Sequence, residues 1–295
     1  MDIKMVLAMM VVFLLLTSCL KKDEIINSSD VEIINSELLS EACVAEASQM
    51  STVIFSGLSD PQLGSTLAAA AIPNFAAVDS LLTGAEVSVT GTGGKNNPQG
   101  IIAIDFKTGI ADAHGIIRKG KITITYSGRR WALGSTRTFS FSGYSRNNVI
   151  IGDTTKYKIT SSTADSTATK RAFDHVLTSH ALIFPDHTTF FISEAHFKDS
   201  TDFIAKTTTL LKSDLTSDVE GTTRSGAQFT IKIKSPLVYK PQCMASKMYL
   251  PNDGEKVITV GSSDYTIGYG STCSRTVTVT VGDKPRMITV NSDGN

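Results

Sequence analysis

The sequence predicts a mostly β protein: an antiparallel meander or sandwich-like sheet preceded by a short N-terminal helical segment. From Val87 onward, apolar residues alternate with Thr or Lys in one run after another. Turn-forming clusters separate these runs, and no helix-period crossover segments lie between them, which argues against βαβ units. The composition supports a folded chain: 295 residues, 41% hydrophobic and only 19% charged.

Taken in order, the chain begins with an address. Lys4 supplies a positive charge, and Met5 to Leu16 is an apolar stretch. It is too short to span a bilayer, which needs about 20 residues, but suits a secretory signal. The next residues, Leu16-Thr17-Ser18-Cys19, resemble a bacterial lipobox. That resemblance implies a lipoprotein signal peptide at residues 1–18 and a mature chain that starts at an acylated Cys19. Several acyl chains, palmitate-like in kind, would hold the protein on a membrane, since one chain alone binds only marginally. Lys22, Asp23 and Glu24 resemble the surface-export signal of Bacteroidetes lipoproteins, although a solvated linker has the same composition. The expected location is the outer membrane, lipid-anchored and on the cell surface.

Residues 19–35 read as lipidated Cys and tether, with Asn27-Ser28-Ser29-Asp30 as loop chemistry. Ser36 is a good N-cap, and Glu37 and Glu41 favour the positive end of a helix dipole. A helix is therefore expected from Ser36 into the low fifties, inside a helical segment spanning 36–84. Asp60-Pro61 is a cap-plus-first-turn pair and predicts a second short helix from Pro61 to Ala71. Gly91-Thr92-Gly93-Gly94 reads as a flexible loop.

The strand signals follow. Ile122, Ile124 and Tyr126 alternate with Lys and Thr. Phe139 with Phe141, Tyr157 with Ile159, Phe229 with Ile231 and Ile233, and Val277 with Val279 and Val281 do the same. One face of each run is apolar and the other wet, as in an antiparallel sheet with one solvated side. The Ser/Thr/Ala-rich stretch 162–170 reads as a loop dividing one β-region, 85–161, from another, 171–295.

Several of these β segments are similar to a family of Bacteroidetes lipoproteins without an established activity. The resemblance is carried by Asp105-Phe106, Gly115 to Ile122, Tyr126-Ser127-Gly128-Arg129, Gly134 to Phe141, Tyr144 and Asn147 to Gly152. It continues through Gly221, Arg224, Gly226, Phe229 to Ile233, Pro236-Leu237, Cys243, Tyr269-Gly270 and Cys273. It covers roughly residues 100–293 and implies a β-rich envelope protein, not a reaction. Relatives often carry a Cys soon after the Asp-Phe pair; Lys107 to His114 holds none.

Of the four cysteines, Cys19 is assigned to lipid. Cys243 and Cys273 lie in neighbouring β segments and can either form a disulfide across the sheet or remain two buried thiols. Cys43 reads as a buried thiol.

Lys+Arg 28 balances Asp+Glu 28, so the electrostatic footprint of a nucleic-acid binder is missing. Gly115 to Lys121 imitates a phosphate loop, but Ile122 occupies the magnesium-binding position and a strand follows. His175, His180, His187 and His196 crowd one window, where a hairpin about Pro185-Asp186-His187 would put His180 and His196 on its two strands. Their spacing matches no zinc motif, so neither a metal nor a cofactor is implied. Trp131, Tyr126, Tyr144 and Arg129, with Tyr157 and Arg130, are a candidate aromatic and basic binding face. Four tripeptides, starting at Asp79, Asp153, Asp165 and Asp199, resemble the O-glycosylation sequon of exported Bacteroidetes proteins.

The expected function is a lipid-anchored envelope lipoprotein acting as a binding or structural module. Its partners would be the membrane, through the lipid, and a glycan or protein ligand, not nucleic acid. No catalytic constellation is present in the sequence. The alternatives are an exported hydrolase with an unfamiliar site near His175 to His196, or an envelope-assembly or lipid-handling protein. The last would show itself as an apolar groove inside a partly closed sheet.

Overall fold

The computed structural model of the protein describes residues 26–162, 169–202, 207–211, 219–246 and 248–290. The described chain opens with one long helix, α1 (Ser28–Gly57). It begins at Ser28, not at the expected Ser36, because the Asn-Ser-Ser-Asp run is a capping box. The Asn27 side chain accepts from the Ser29 and Asp30 N–H groups at 2.9 and 3.0 Å, and the Asp30 carboxylate accepts from the Asn27 N–H at 2.8 Å. Three otherwise orphaned donors are satisfied at once. The expected tether at 19–35 therefore overlaps the first turns of the helix.

The second helix is shorter than expected. The one-turn α2 (Asp60–Leu63) is capped by Ser59, and 3₁₀ turns follow at Ala69–Ala71, Phe75–Ala77 and Ser80–Leu82. The chain stops being helical at Gly64 because it runs tightly against the first strand. A Cβ on Gly64 would lie 2.1 Å from the Gly94 carbonyl oxygen, and one on Gly91 would lie 2.2 Å from that of Leu63. The glycines at 91–94 thus serve a close backbone approach, and Gly91 and Thr92 belong to a strand, not to a flexible loop.

Among the described residues fifteen strands form one antiparallel sheet. The first half holds β1 (Glu86–Thr92), β2 (Gln99–Asp105), β3 (Arg118–Ser127), β4 (Thr136–Arg146), β5 (Val149–Ile151), β6 (Lys156–Ser161) and β7 (Lys170–Ile183). The second holds β8 (Thr189–Asp202), β9 (Thr207–Leu211), β10 (Val219–Thr222), β11 (Gln228–Tyr239), β12 (Asp253–Val260), β13 (Ser263–Gly268), β14 (Thr276–Val281) and β15 (Lys284–Thr289). Strand order follows the sequence. At two places a pair of short strands shares one position: β5 and β6 between β4 and β7, and β9 and β10 between β8 and β11. β6 pairs with β7 from Lys156↔Thr178 to Ser161↔Phe173, so the two expected β-regions are parts of one sheet. Residues 163–168 of the expected loop lie outside the described residues.

The sheet must be strongly curved. From β4 to β12 is six strand spacings, about 29 Å if flat. Yet both strands touch α1, and on opposite sides of it: Arg146 of β4 donates to Glu46 at 3.0 Å, and Lys256 of β12 donates to Glu37. Nine residues at about 100° each put Glu37 and Glu46 roughly 180° apart around the helix. β13 joins in, its Tyr265 hydroxyl donating to Asp30 at 2.6 Å. Strands of one sheet reach both sides of a helix about 10 Å across only if the sheet curls around it. This is why α1 buries residues all round, Ile34, Leu38 and Met50 as well as Glu37, Glu46 and Ser51. Local bending is visible at Gly120, where the β3–β4 register shifts; its φ is 76° and a Cβ would lie 2.2 Å from the Gly143 carbonyl oxygen.

One face of α1 carries a buried ionic cluster. Glu46 accepts from Arg118 Nε at 3.2 Å and from Arg146 Nε at 3.0 Å, and Arg118 also donates to Asp112 at 2.7 Å. Cys43, one turn away, is a buried free thiol whose pKa burial pushes up to about 12.

Cys243 and Cys273 are joined by a disulfide with Cα atoms 5.3 Å apart. They do not lie on neighbouring strands as expected. Cys243 sits in the short helix α3 (Pro241–Ala245) and Cys273 in the β13–β14 loop. The bridge ties these two connections across a separation of 30 residues, a closure worth about 3–4 kcal/mol. At the far edge of the sheet, β15 exposes Lys284, Pro285 and Arg286, which discourages pairing with another chain.

Candidate functional site

Where the middle strands arch away from α1 they leave a cavity of about 690 Å³. This lies within the range of small-molecule sites, roughly 300–1,000 Å³. Its helical wall is a stripe that includes Glu37, Glu41, Ala45, Ser48, Thr52 and Ser56. The spacing of about four keeps these residues on one face, and the small side chains after Glu41 leave the space unfilled. The opposite wall comes from Tyr157 and Ile159 of β6, Phe173 and Leu177 of β7, Ile192 and Phe197 of β8, and Ile231 and Ile233 of β11. The lining is mainly apolar, with polar groups in three places.

The first is next to the start of α1. Lys256 Nζ donates to Glu37 at 2.5 Å and to Glu41 at 2.8 Å. Two carboxylates and one ammonium leave one surplus negative charge. Burial, with Glu41 adding to it, raises the Glu37 pKa to about 8, so a proton balances the cluster. Burial works against the Lys256 ammonium, but Glu37 and Glu41 outweigh it and raise its pKa.

The second lies mid-cavity. The Tyr157 hydroxyl and His175 Nδ1 are 2.6 Å apart, and His175 Nε2 is 3.0 Å from Asp199 Oδ2. His175 stacks on Phe197 with centroids 4.7 Å apart. The other Asp199 oxygen is buried without a hydrogen-bond partner among the described residues. Burial holds the Tyr157 phenol well above its usual pKa.

The third is at the far end. Arg137 lies 5.0 Å from the Trp131 ring centroid and 5.7 Å from that of Phe55. Trp131 packs edge-on against Phe173, at 5.6 Å. Arg130 donates to the Phe55 carbonyl. Burial lowers the Arg137 pKa to about 10, since no carboxylate touches it; it stays charged at neutral pH.

The expected aromatic face is not formed. Tyr126 and Tyr144 point into the core, Tyr126 donating to the Leu63 carbonyl at 2.5 Å and Tyr144 packing between Phe106 and Phe141. Their inward register follows from the same alternation that makes their strands amphipathic. Arg129 is exposed and pairs with Asp60 at 3.3 Å. Of the expected group, Trp131, Tyr157 and Arg130 line the cavity instead.

The histidine window forms the expected hairpin but scatters its rings. His196 faces Glu194 at 2.7 Å, His187 occupies the turn, and His180 pairs with Ile192 in the register. Burial lowers the His180 pKa to about 4. Among the described residues no group of three or more His, Cys, Asp or Glu is placed to hold a metal ion. Cys19, Lys22, Asp23 and Glu24 lie outside the described residues, as does the tripeptide at Asp165. Thr154 of another tripeptide is exposed.

No protein-family model, curated protein or solved structure matches the chain. Any account of the cavity therefore rests on its own residues. Sequence reading missed Arg137 and Lys256; it singled out Tyr157 and His175 but did not join them to each other or to Asp199. Each is an ordinary member of an alternating strand, and what sets it apart is a partner far away in sequence. The one legible signal was the run of small polar residues at helical spacing along α1.

Proposed function

We propose that this protein is an exported, lipid-anchored binding module of the cell envelope that holds the apolar part of an amphiphile between α1 and the curved sheet. The observation that carries this reading is the cavity of about 690 Å³ with mainly apolar walls. Closely packed interiors do not leave such spaces idle, and an aqueous site would not be walled by Phe173, Leu177, Ile192, Phe197 and Ile231. Binding is thus moved from the wet outer faces, where the strand patterns put it, to the inside of the sheet.

The test uses a neutral apolar dye, N-phenyl-1-naphthylamine, with protein carrying Cys19→Ser so that no attached acyl chain competes. Saturable fluorescence enhancement at one dye per chain is expected. Ala45→Phe, which fills the cavity from the helix, should weaken it at least about tenfold with an unchanged circular dichroism spectrum. Absence of saturable binding, or full binding by the filled variant, would overturn the reading.

The location rests on Cys19 and on Lys22-Asp23-Glu24. Protease shaving of intact cells should remove the β-region while a periplasmic control stays whole. Protection until lysis would place the protein on the inner side of the outer membrane.

Hydrolysis of the bound amphiphile would have to start from Tyr157, His175 and Asp199. The Tyr157 phenol is held protonated by burial, which makes it a poor nucleophile. We therefore read this chain as a hydrogen-bonded lining.

A further inference from the structure

We infer that the amphiphile is anionic, with its carboxylate or phosphate head group bound by Arg137 and Arg130 beside Trp131 and its chain running along α1 toward Glu41. This rests on the cavity reading above and adds the charge class and orientation of the occupant.

The first ground is a pair of guanidinium groups that no carboxylate among the described residues touches. A guanidinium has five N–H donors. Among the described residues, Arg137 uses one on the Ser51 hydroxyl at 3.0 Å and otherwise lies against the rings of Phe55 and Trp131. Arg130 is held by a backbone carbonyl, not a carboxylate. Asp199 is near enough to favour the Arg137 charge but does not touch it. Both arginines are half-buried and line the cavity. Their unused donors are therefore best met by an anionic group that enters it.

The second ground is polarity. At the other end Lys256 sits between Glu37 and Glu41 and cancels one of the two carboxylates. With the proton on Glu37 that cluster is neutral and offers no surplus cation, so the arginine end suits a negative head group better. The two ends are also well spaced. Ser51, which touches Arg137, is ten residues along α1 from Glu41, about 15 Å at 1.5 Å per residue. The cavity wall also includes Val44, Ala45, Leu177, Ile192 and Ile231, suited to a hydrocarbon chain, beside the hydrogen-bonded Tyr157–His175–Asp199 chain.

The third ground is geometry. The planar guanidinium fork matches carboxylate and phosphate oxygens and keeps its orientation when stacked on an aromatic face. Trp131 provides that face, positioned by a left-handed backbone at φ 65° in the β3–β4 turn.

The experiment is competition against the bound neutral dye by four ligands of equal chain length: dodecanoate, dodecyl phosphate, dodecanol and dodecyltrimethylammonium. At least one anion should displace the dye at a concentration about tenfold or more below that of dodecanol, as a charge-assisted contact requires. The carboxylate and phosphate arms tell which head group is preferred. Arg137→Met should abolish the advantage, read as the ratio of anion to dodecanol displacement within the variant itself, so that any change in dye affinity cancels. An unchanged circular dichroism spectrum shows that the variant folds. Equal displacement by dodecanol, stronger displacement by the cation, or a retained anion advantage in Arg137→Met would overturn the assignment while dye binding stays intact. Loss of dye binding by the unmodified protein would instead remove the cavity reading, and this inference with it.

Discussion

Replacing Glu46 with alanine is expected to lower the free energy of unfolding by about 3–5 kcal/mol, the usual cost of removing one member of a buried ion cluster. Glu46 is 1% exposed and is the carboxylate shared by Arg118 and Arg146. Arg118 retains Asp112 at 2.7 Å, so the loss falls mainly on the link between α1 and the β3–β4 pair. Domains of this kind have only about 5–15 kcal/mol in total, so the variant should sit near the edge of folding at room temperature. Urea unfolding followed by circular dichroism reads the change. A loss below about 1 kcal/mol would show that the cluster is dispensable. Glu46→Gln, which keeps the shape and removes the charge, should fall between the two.

The second large effect is a pH dependence set by Glu37. Its pKa lies near 4.5 in an unfolded chain and is raised to about 8 in the folded one, first by burial and then by Glu41. Between those values the folded protein keeps a proton that the unfolded chain has released. The unfolded state binds fewer protons there, so stability falls as pH rises through the window. The slope is at most about 1.4 kcal/mol per pH unit for one proton. Buried His180, with its pKa lowered from 6.5 to about 4, has the opposite slope below its unfolded value, so unfolding free energies should decline clearly from about pH 6.5 to pH 8. Glu37→Gln should flatten the profile, because glutamine stays neutral throughout. A profile of equal slope in that variant would show that Glu37 does not hold the proton. The same pH range loads negative charge onto the end of the cavity opposite Arg137.

Period-two alternation read the strands well. Tyr157 and Ile159 face inward while Lys156 and Lys158 face out, and Val277 and Val279 are buried between threonines. Such patterns are local, because a strand's two faces are set by its own pleat. The disulfide partners were also legible, although the elements that carry them were not. Cap chemistry misled at Asn27, where one residue string serves equally as loop or as capping box. Which of the two it becomes depends on whether the following turns are buried, and here they pack beneath Tyr265 and Arg224.

The candidate site was much less legible. The outward-looking trio Trp131, Tyr126 and Tyr144 was chosen for residue type. Burial in a curved sheet depends on which side is concave, and sequence does not state that. Lys256 is the clearest case. It shares the inward face of its strand with Ile258, two residues on, a place a lysine rarely takes, and it is fully buried and paired with residues more than two hundred positions away.

By itself the sequence determined the β class, the positions of most strands and the helical N-terminal segment, since these follow from side-chain period and turn chemistry along a few neighbouring residues. The tertiary structure alone decided that the strands make one sheet, that the sheet curls around α1, and that the small residues from Ala45 to Ser56 face a cavity instead of a wall. Curvature and cavities are properties of elements brought together over long separations, where volume and charge must be satisfied jointly. A single strand carries no record of what it will be folded against.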